Sequence, residues 1–139
     1  SFWIPLDPVT VDTGAMKFAK GSHKWGKVYK PVMIGSGKDA EGAAEFDGHA
    51  PDIDADPDRY NVEVFEMQRG DALFFHAATL HAAEPNRSSD VRRRALSLRY
   101  AGGRATFEPR DYVPSRPEMP ELKPGGPLDG DDYPVIWRA

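Results

Sequence analysis

Apolar and polar residues alternate over short stretches of this 139-residue chain, as they do in half-buried strands. The intervening stretches are rich in glycine and proline, and few of them have the periodicity of a helix. Such a succession of short strands and turns indicates an all-β sandwich or barrel. The predicted strands cover residues 2–6, 15–19, 62–67, 72–76 and 92–100, and residues 80–82 are predicted to extend the strand at 72–76.

The predicted strand at 92–100 has two distinct faces, because successive side chains of a strand point in opposite directions. Arg93 shares its face with the small residues Ala95 and Ser97, so its guanidinium is expected to look into a cavity rather than a packed layer. Arginine is suited to binding a carboxylate through two parallel hydrogen bonds. Arg92 and Arg94 are interpreted as surface or ion-paired residues.

His81 is the strongest candidate for a metal ligand, because imidazole commonly binds iron, zinc and copper and small residues surround this position. A lone histidine in an apolar strand is more often a hydrogen-bonded structural residue, and both interpretations remain open on the residues alone. His76 lies among bulky aromatic residues, and we expect it to belong to the core or to support a ligand.

Composition narrows the function classes. The net charge is −4 and basic residues are interspersed with acidic ones, which argues against a nucleic-acid partner. There is no cysteine for disulfides or thiolate chemistry. No apolar run approaches the length of about 20 residues that a membrane span needs, and no signal-peptide pattern is present. We therefore expect a cytoplasmic protein with no membrane partner.

The length fits a single domain or a part of one. A long irregular loop is predicted at about 30–60 and an irregular tail from about 101. Within the loop, the acids from Asp52 to Asp58 resemble a calcium-binding loop, but Pro57 occupies the position that needs glycine, so a solvated acidic loop is predicted. Because the chain opens on the strand-like sequence Ser1 to Leu6, we expect a domain that is incomplete at its N-terminus.

Several motifs, in order and at matching spacing, resemble the C-terminal two-thirds of phytanoyl-CoA dioxygenase-like proteins, which are Fe(II)- and 2-oxoglutarate-dependent oxygenases. The likeness covers most of the chain outside the long loop. The segments that carry it are Trp3-Ile4-Pro5-Leu6-Asp7, Thr13-Gly14-Ala15-Met16, Gly21-Ser22-His23-Lys24, the stretch from Arg69 to His76, His81 to Asn86, and Arg93 to Tyr100.

This resemblance implies a double-stranded β-helix (a jelly-roll, cupin-like fold) in which two histidines and one carboxylate hold the iron. His81 would be the distal histidine, and Arg93 would bind the far carboxylate of 2-oxoglutarate. Trp3 falls where family members have a tryptophan near the cosubstrate, and Ser97, on the face of Arg93, is assigned to the same site. The implied activity is hydroxylation of a small molecule with molecular oxygen; no motif identifies the substrate.

The family's His-x-Asp motif, which supplies the other two iron ligands, is not in this chain. None of its four histidines is followed by an acid two residues later. We therefore expect a single partial oxygenase domain that is inactive alone, with exposed sheet edges that favour a homo-oligomer. Two alternatives stay open: a non-catalytic β-helix protein with a binding or interaction role, and a related halogenase or other cupin-type metal enzyme.

Overall fold

The computed structural model describes residues 1–32, 46–109, 122–131 and 133–137. The chain divides into two compact units. The first unit comprises Ser1–Lys30 and Phe46–Arg99, and the second comprises Pro31–Glu45 and Tyr100–Ala139. All the residues that the sequence assigns to a site lie in the first unit.

The described part of the first unit is built from short strands with a single turn of 3₁₀ helix at Ser22–Lys24. Five strands match predicted segments and are shorter at most ends, whereas residues 81–83 form a strand of their own and do not extend the one at 72–76, because a turn separates the two. Their bounds are β1 Phe2–Pro5, β2 Met16–Ala19, β3 Val62–Phe65, β4 Leu73–Phe74, β5 His81–Ala83 and β6 Ala95–Leu98.

The strands form two antiparallel sheets of three strands each. Sheet I has the order β4-β1-β6, and sheet II has the order β3-β2-β5. Within the described residues β1 and β2 are therefore the central strands, while β5 and β6 lie at sheet edges. This strand-rich architecture confirms the all-β prediction, whereas the double-stranded β-helix remains an expectation.

The core of the first unit draws on residues of both sheets. In β1 the odd-numbered positions are buried, as alternation predicts, whereas all four residues of β2 are buried. Val9 is fully buried in the link between these strands and exchanges two backbone hydrogen bonds with Met67, at 2.8 and 2.9 Å. The buried cluster consists of Trp3, Val9, Ala15, Met16, Phe18 and Met67, with Phe65, Leu73, Phe75 and Ala95 packed against it.

Two strands end earlier than their apolar patterns predict. The segment predicted at 72–76 is a strand only over Leu73–Phe74, because the chain then turns and Thr79 donates a backbone hydrogen bond to His76. The segment predicted at 92–100 is a strand only over Ala95–Leu98, and the backbone amide of Arg94 donates to the side chain of Asp7 instead of a strand. A side chain competes with the ladder here, which periodicity alone does not reveal.

In the second unit, an isolated bridge joins Thr106 and Pro127. It is flanked by backbone hydrogen bonds that join Phe107 to Gly125 and Gly126 at 2.8 Å. The irregular tail expected from about 101 stays a prediction, since part of it lies outside the described residues. Part of the predicted loop at about 30–60, residues 33–45, lies outside the described residues. A helix with the length and apolarity to cross a membrane does not occur in the described part of the chain.

Candidate functional site

Arg93 lies half-buried just before β6, where three parts of the chain meet. Its Nε donates a hydrogen bond of 2.8 Å to the carbonyl oxygen of Gly14. Its guanidinium carbon lies 5.5 Å from the centre of the Trp3 ring, a distance typical of a cation–π contact. We call this group of Trp3, Gly14 and Arg93 the arginine corner. With Nε engaged, the two terminal nitrogens remain as donors.

The register of sheet I explains how the corner forms. Trp3 pairs with Ser97 and Pro5 pairs with Ala95 across β1 and β6. Residues paired directly across a ladder share a face, so Ala95 and Ser97 lie on the same side of sheet I as Trp3. Trp3 is only 8% exposed. Arg93 itself lies before β6, and its contact with the Trp3 ring places its guanidinium on this side of the sheet.

Arg94, the next residue, is used quite differently. Its Nη2 and Nε donate to the two carboxylate oxygens of Asp7 at 2.7 and 2.9 Å, and its backbone amide adds a third bond at 3.0 Å. Hydrogen bonds from the Arg94 side chain and backbone, against the opposing effect of burial, hold the pKa of Asp7 well below its usual range. The prediction that Arg94 is ion-paired is thus confirmed.

Arg93 has no comparable partner within the described part of the chain. Its hydrogen bond goes to a backbone carbonyl, and no described carboxylate lies within 4 Å of its guanidinium nitrogens. Arg92 is exposed. Of the three consecutive arginines, Arg93 therefore combines partial burial, a fixed orientation and an unpaired charge, which is the arrangement that binds an external carboxylate.

His81 is the first residue of β5 and pairs with Phe18 in sheet II. Its ring stacks on Phe18 with centroids 5.7 Å apart and an interplanar angle of 21°, and it lies 4.9 Å from the ring of Phe75. We call His81, Phe18 and Phe75 the histidine edge. The imidazole is exposed although two aromatic rings flank it, so its direction is set while its free side stays accessible.

The tautomer of His81 suits metal binding. Nδ1 lies 2.8 Å from the carbonyl oxygen of Thr79. Because a carbonyl oxygen only accepts hydrogen bonds, Nδ1 is the donor, and the lone pair of the neutral ring is on Nε2. Metal-binding histidines commonly donate their second nitrogen to a backbone carbonyl in this way.

His76 has the opposite arrangement and is not a core residue. The backbone amide of Ala78 donates to its Nδ1 at 3.1 Å, so the proton of the neutral ring is on Nε2. The ring is exposed and its centroid lies 5.4 Å from that of His23. The expectation of a core position was wrong because β4 ends at Phe74 and the turn that follows carries His76 to the surface.

Lys17 is a feature that the sequence analysis missed. It is 8% exposed in the middle of β2, and its Nζ donates to Asp54 and Glu84 at 2.7 Å each. Burial lowers the pKa of Lys17, but the two hydrogen bonds outweigh burial and raise it. The signal was a single lysine in an otherwise apolar strand. Its consequence is that the residue after β5, Glu84, is tied to the centre of sheet II.

The acidic series at 52–58 performs local structural roles. Asp52 accepts hydrogen bonds from the amides of Asp54 and Ala55, and Asp56 accepts one from Arg59. These are turn-forming bonds of a common kind. Together with the ion pair of Asp54 and Lys17, they support the prediction that the segment is an acidic loop rather than a calcium site.

An open cleft of about 430 Å³ lies elsewhere in the first unit. The rings of Trp25 and Tyr60 stand 6.0 Å apart along it, and Arg59 lies 5.4 Å above the Tyr60 ring. None of Trp3, His81 and Arg93 lines this cleft. It is therefore distinct from the arginine corner and the histidine edge. The lining residues are Trp25, Tyr29, His49, Pro51, Arg59 and Tyr60.

Comparison with known families identifies the family of this chain. A family model described as phytanoyl-CoA dioxygenase (PhyH) matches residues 1–95. The chain belongs to the phytanoyl-CoA dioxygenase (PhyH) family. No solved structure matched the chain. The match includes Trp3, Gly14, His81 and Arg93, and family membership indicates a dioxygenase-type enzyme of the Fe(II)/2-oxoglutarate oxygenase superfamily.

PhyH enzymes generally use 2-oxoglutarate and Fe(II), and the described residues suit the first better than the second. A carboxylate of 2-oxoglutarate fits Arg93, since the charge there is oriented and unpaired. Iron is not fitted by the described residues alone: they bring no three His, Cys, Asp or Glu side chains together, and His81 is a single donor. One imidazole binds Fe(II) weakly, because such sites gain affinity from several ligands held together.

Ser97, which we expected in the cosubstrate site of this PhyH chain, lies opposite Trp3 on the same face of sheet I. Its hydroxyl accepts a hydrogen bond of 2.8 Å from Arg99 Nη1, and the residue is exposed. It also lies two positions beyond the end of the family match. Its role in binding the cosubstrate therefore remains a prediction.

Proposed function

We propose that this chain is the cosubstrate-binding part of an Fe(II)- and 2-oxoglutarate-dependent dioxygenase that hydroxylates a small molecule with molecular oxygen. The observation that carries the proposal is Arg93, a half-buried arginine that is oriented by Gly14, placed over Trp3 and left without a carboxylate partner among the described residues. Family membership supports the oxygenase class.

Arg93 binds the carboxylate of 2-oxoglutarate that is remote from the keto acid. Since Nε is used by Gly14, the carboxylate meets the two terminal nitrogens end-on, as a bidentate pair. The buried Trp3 ring excludes water from one side of the guanidinium, which strengthens a charged hydrogen bond. Ser97 lies on the same face and offers a hydroxyl near the carboxylate.

His81 would offer one imidazole to the iron through Nε2, because the carbonyl oxygen of Thr79 holds the proton on Nδ1. When bound, the iron would supply the redox chemistry of oxygen activation, as metal cofactors generally do. A complete iron site would need an imidazole and a carboxylate in addition to His81. Among the described strands β5 pairs on one side only, so its other edge is where a further strand would bring such ligands close to His81.

The test compares Arg93→Ala with the matched control Arg92→Ala in the enzyme that contains this chain. A hydrogen bond to a charged group is worth about 1.5–3 kcal/mol, so Arg93→Ala should raise the 2-oxoglutarate concentration for half-maximal turnover about 10- to 150-fold. Arg92→Ala, which removes an exposed charge of the same size, should leave it within about twofold.

Other results would redirect the proposal. If Arg92→Ala proves the sensitive variant, the cosubstrate clamp is at Arg92. If the protein binds neither Fe(II) nor 2-oxoglutarate, it is a non-catalytic binding or interaction protein. If a halide is inserted into the product in place of a hydroxyl group, the protein is a halogenase.

A further inference from the structure

We propose that Gly14 is a positioning residue that sets the spacing between the arginine corner and the end of β5. This inference rests on the proposed function, since it concerns how Arg93 is held for 2-oxoglutarate. Gly14 binds no cosubstrate itself. It acts through Arg93 on one side and the residue that follows β5, Glu84, on the other.

The backbone of Gly14 is in a conformation that only glycine adopts readily. Its φ is +91°, in the left-handed region that a Cβ atom disfavours. This φ directs the Gly14 carbonyl oxygen to Arg93 Nε, at 2.8 Å. The turn is closed by two backbone hydrogen bonds to Thr10, from Thr13 at 3.1 Å and from Ala15 at 2.9 Å. The residues before and after Gly14 are thus both held by hydrogen bonds, which fixes the direction of the Gly14 carbonyl.

The absence of a side chain at position 14 matters as much as its φ. A Cβ atom there would overlap the backbone oxygen of Glu84 and would lie 3.3 Å from both Cδ and Nε of Arg93. Two segments that are remote in sequence therefore approach the same face of one glycine. Any larger residue has to move at least one of them.

Glu84 is the partner that resists movement. Its carboxylate is bound by Lys17 Nζ at 2.7 Å, and Lys17 is 8% exposed. The preceding residue, Ala83, is paired with Met16 in sheet II. Arg93 in contrast meets Gly14 with the flexible part of its side chain. A methyl group at position 14 should therefore displace the turn from Glu84 and push the Arg93 guanidinium away from the Gly14 carbonyl.

The full chain offers a matched control for this substitution. Gly70 has a φ of +97°, close to that of Gly14, and a Cβ atom there would meet nothing within 4 Å. Gly70→Ala therefore imposes similar backbone strain without touching Arg93. Any effect of Gly14→Ala that Gly70→Ala lacks comes from the contacts with Arg93 and Glu84.

The test observes the Arg93 side chain directly, by NMR of its Nε–H group in the full chain. In the unsubstituted chain this proton should exchange with water about tenfold more slowly than that of exposed Arg92, as expected for one hydrogen bond. Gly14→Ala should abolish the difference, and Gly70→Ala should preserve it. Unchanged protection of Arg93 in Gly14→Ala would overturn the inference.

A measurement on the unsubstituted chain keeps the inference testable should Gly14→Ala fail to fold. Scalar coupling through the hydrogen bond, between Arg93 Nε and the carbonyl carbon of Gly14, should be detectable, and fast exchange of the Arg93 Nε–H would count against the contact. Varying the 2-oxoglutarate concentration then distinguishes the positioning role of Gly14 from the proposed binding of 2-oxoglutarate by Arg93. Protection by Gly14 together with no effect of Arg93→Ala on 2-oxoglutarate use refutes the proposed function and leaves the positioning role standing.

Discussion

The arginine corner and the histidine edge lie in the same compact unit, but they differ in how completely this chain builds them. At the corner, a buried ring, a carbonyl and a close-packed glycine all fix one guanidinium. At the edge, one carbonyl orients an exposed imidazole that sits on an outer strand. All the groups that orient the guanidinium at the arginine corner are among the described residues. The histidine edge needs further ligands before it can hold a metal.

This difference follows from the chemistry of the two ligands. A carboxylate needs one planar cation with two donors, and a single arginine provides both. A metal ion needs several donors brought together from separate segments. One arginine, together with the residues that orient it, can therefore make an anion clamp, while the described residues offer only one member of a metal site. We expect substitutions at the corner to affect stability and binding, and those at the edge to affect turnover alone.

The largest effect should come from His81→Ala. Loss of an iron ligand should lower Fe(II)-dependent 2-oxoglutarate turnover by at least about 100-fold, the upper range seen for residues that merely support a ligand. Because His81 is exposed, the free energy of unfolding should change by less than about 1 kcal/mol. Steady-state turnover and urea unfolding measure the two quantities.

His76→Ala serves as the matched control for His81, since it removes an imidazole that is exposed and close in sequence but has the other tautomer. Turnover should stay near normal in this variant. Near-normal turnover of His81→Ala would contradict the assignment of His81 as an iron ligand. A large loss of stability in His81→Ala would contradict the expectation that substitutions at the histidine edge affect turnover alone.

The second effect is structural and belongs to the corner. Trp3→Ala should lower the free energy of unfolding by about 3–5 kcal/mol, as truncation of a buried aromatic residue does, because Trp3 is 8% exposed in the core cluster. Trp25→Ala, at 38% exposure, should cost less than about 1 kcal/mol. If both substitutions cost the same, the corner is not part of the core.

Sequence patterns predicted the strands and the face of Arg93 because both depend on local alternation. They placed Arg93 on the face of Ala95 and Ser97; those two residues share a side of sheet I with Trp3, which Arg93 contacts. They did not predict that Gly14 accepts from Arg93, since the contact joins residues 79 positions apart. Nor did they show that His76 is on the surface, because an apolar run does not reveal where a strand stops pairing.

The smallest effect should come from substitution of Asp7, whose carboxylate is paired with Arg94, the residue after Arg93. Asp7→Asn removes the charge that Arg94 binds through its side chain and backbone. The thermal midpoint should fall, by less than in Trp3→Ala. The 2-oxoglutarate requirement should stay within about twofold, because Arg93 does not use Asp7. A sharp rise in that requirement would mean that the two neighbouring arginines act as one unit.

The pH dependence of this effect has a definite sign. Hydrogen bonds from Arg94 depress the pKa of folded Asp7 below its ordinary value of 3.8. A depressed carboxyl pKa contributes stability that is fully present above the unfolded pKa and is lost as pH falls through the folded one. The difference in thermal midpoint between the unsubstituted chain and Asp7→Asn should therefore be constant from about pH 7 to pH 5 and shrink below about pH 4. A difference that grows on acidification would exclude Asp7 as its source.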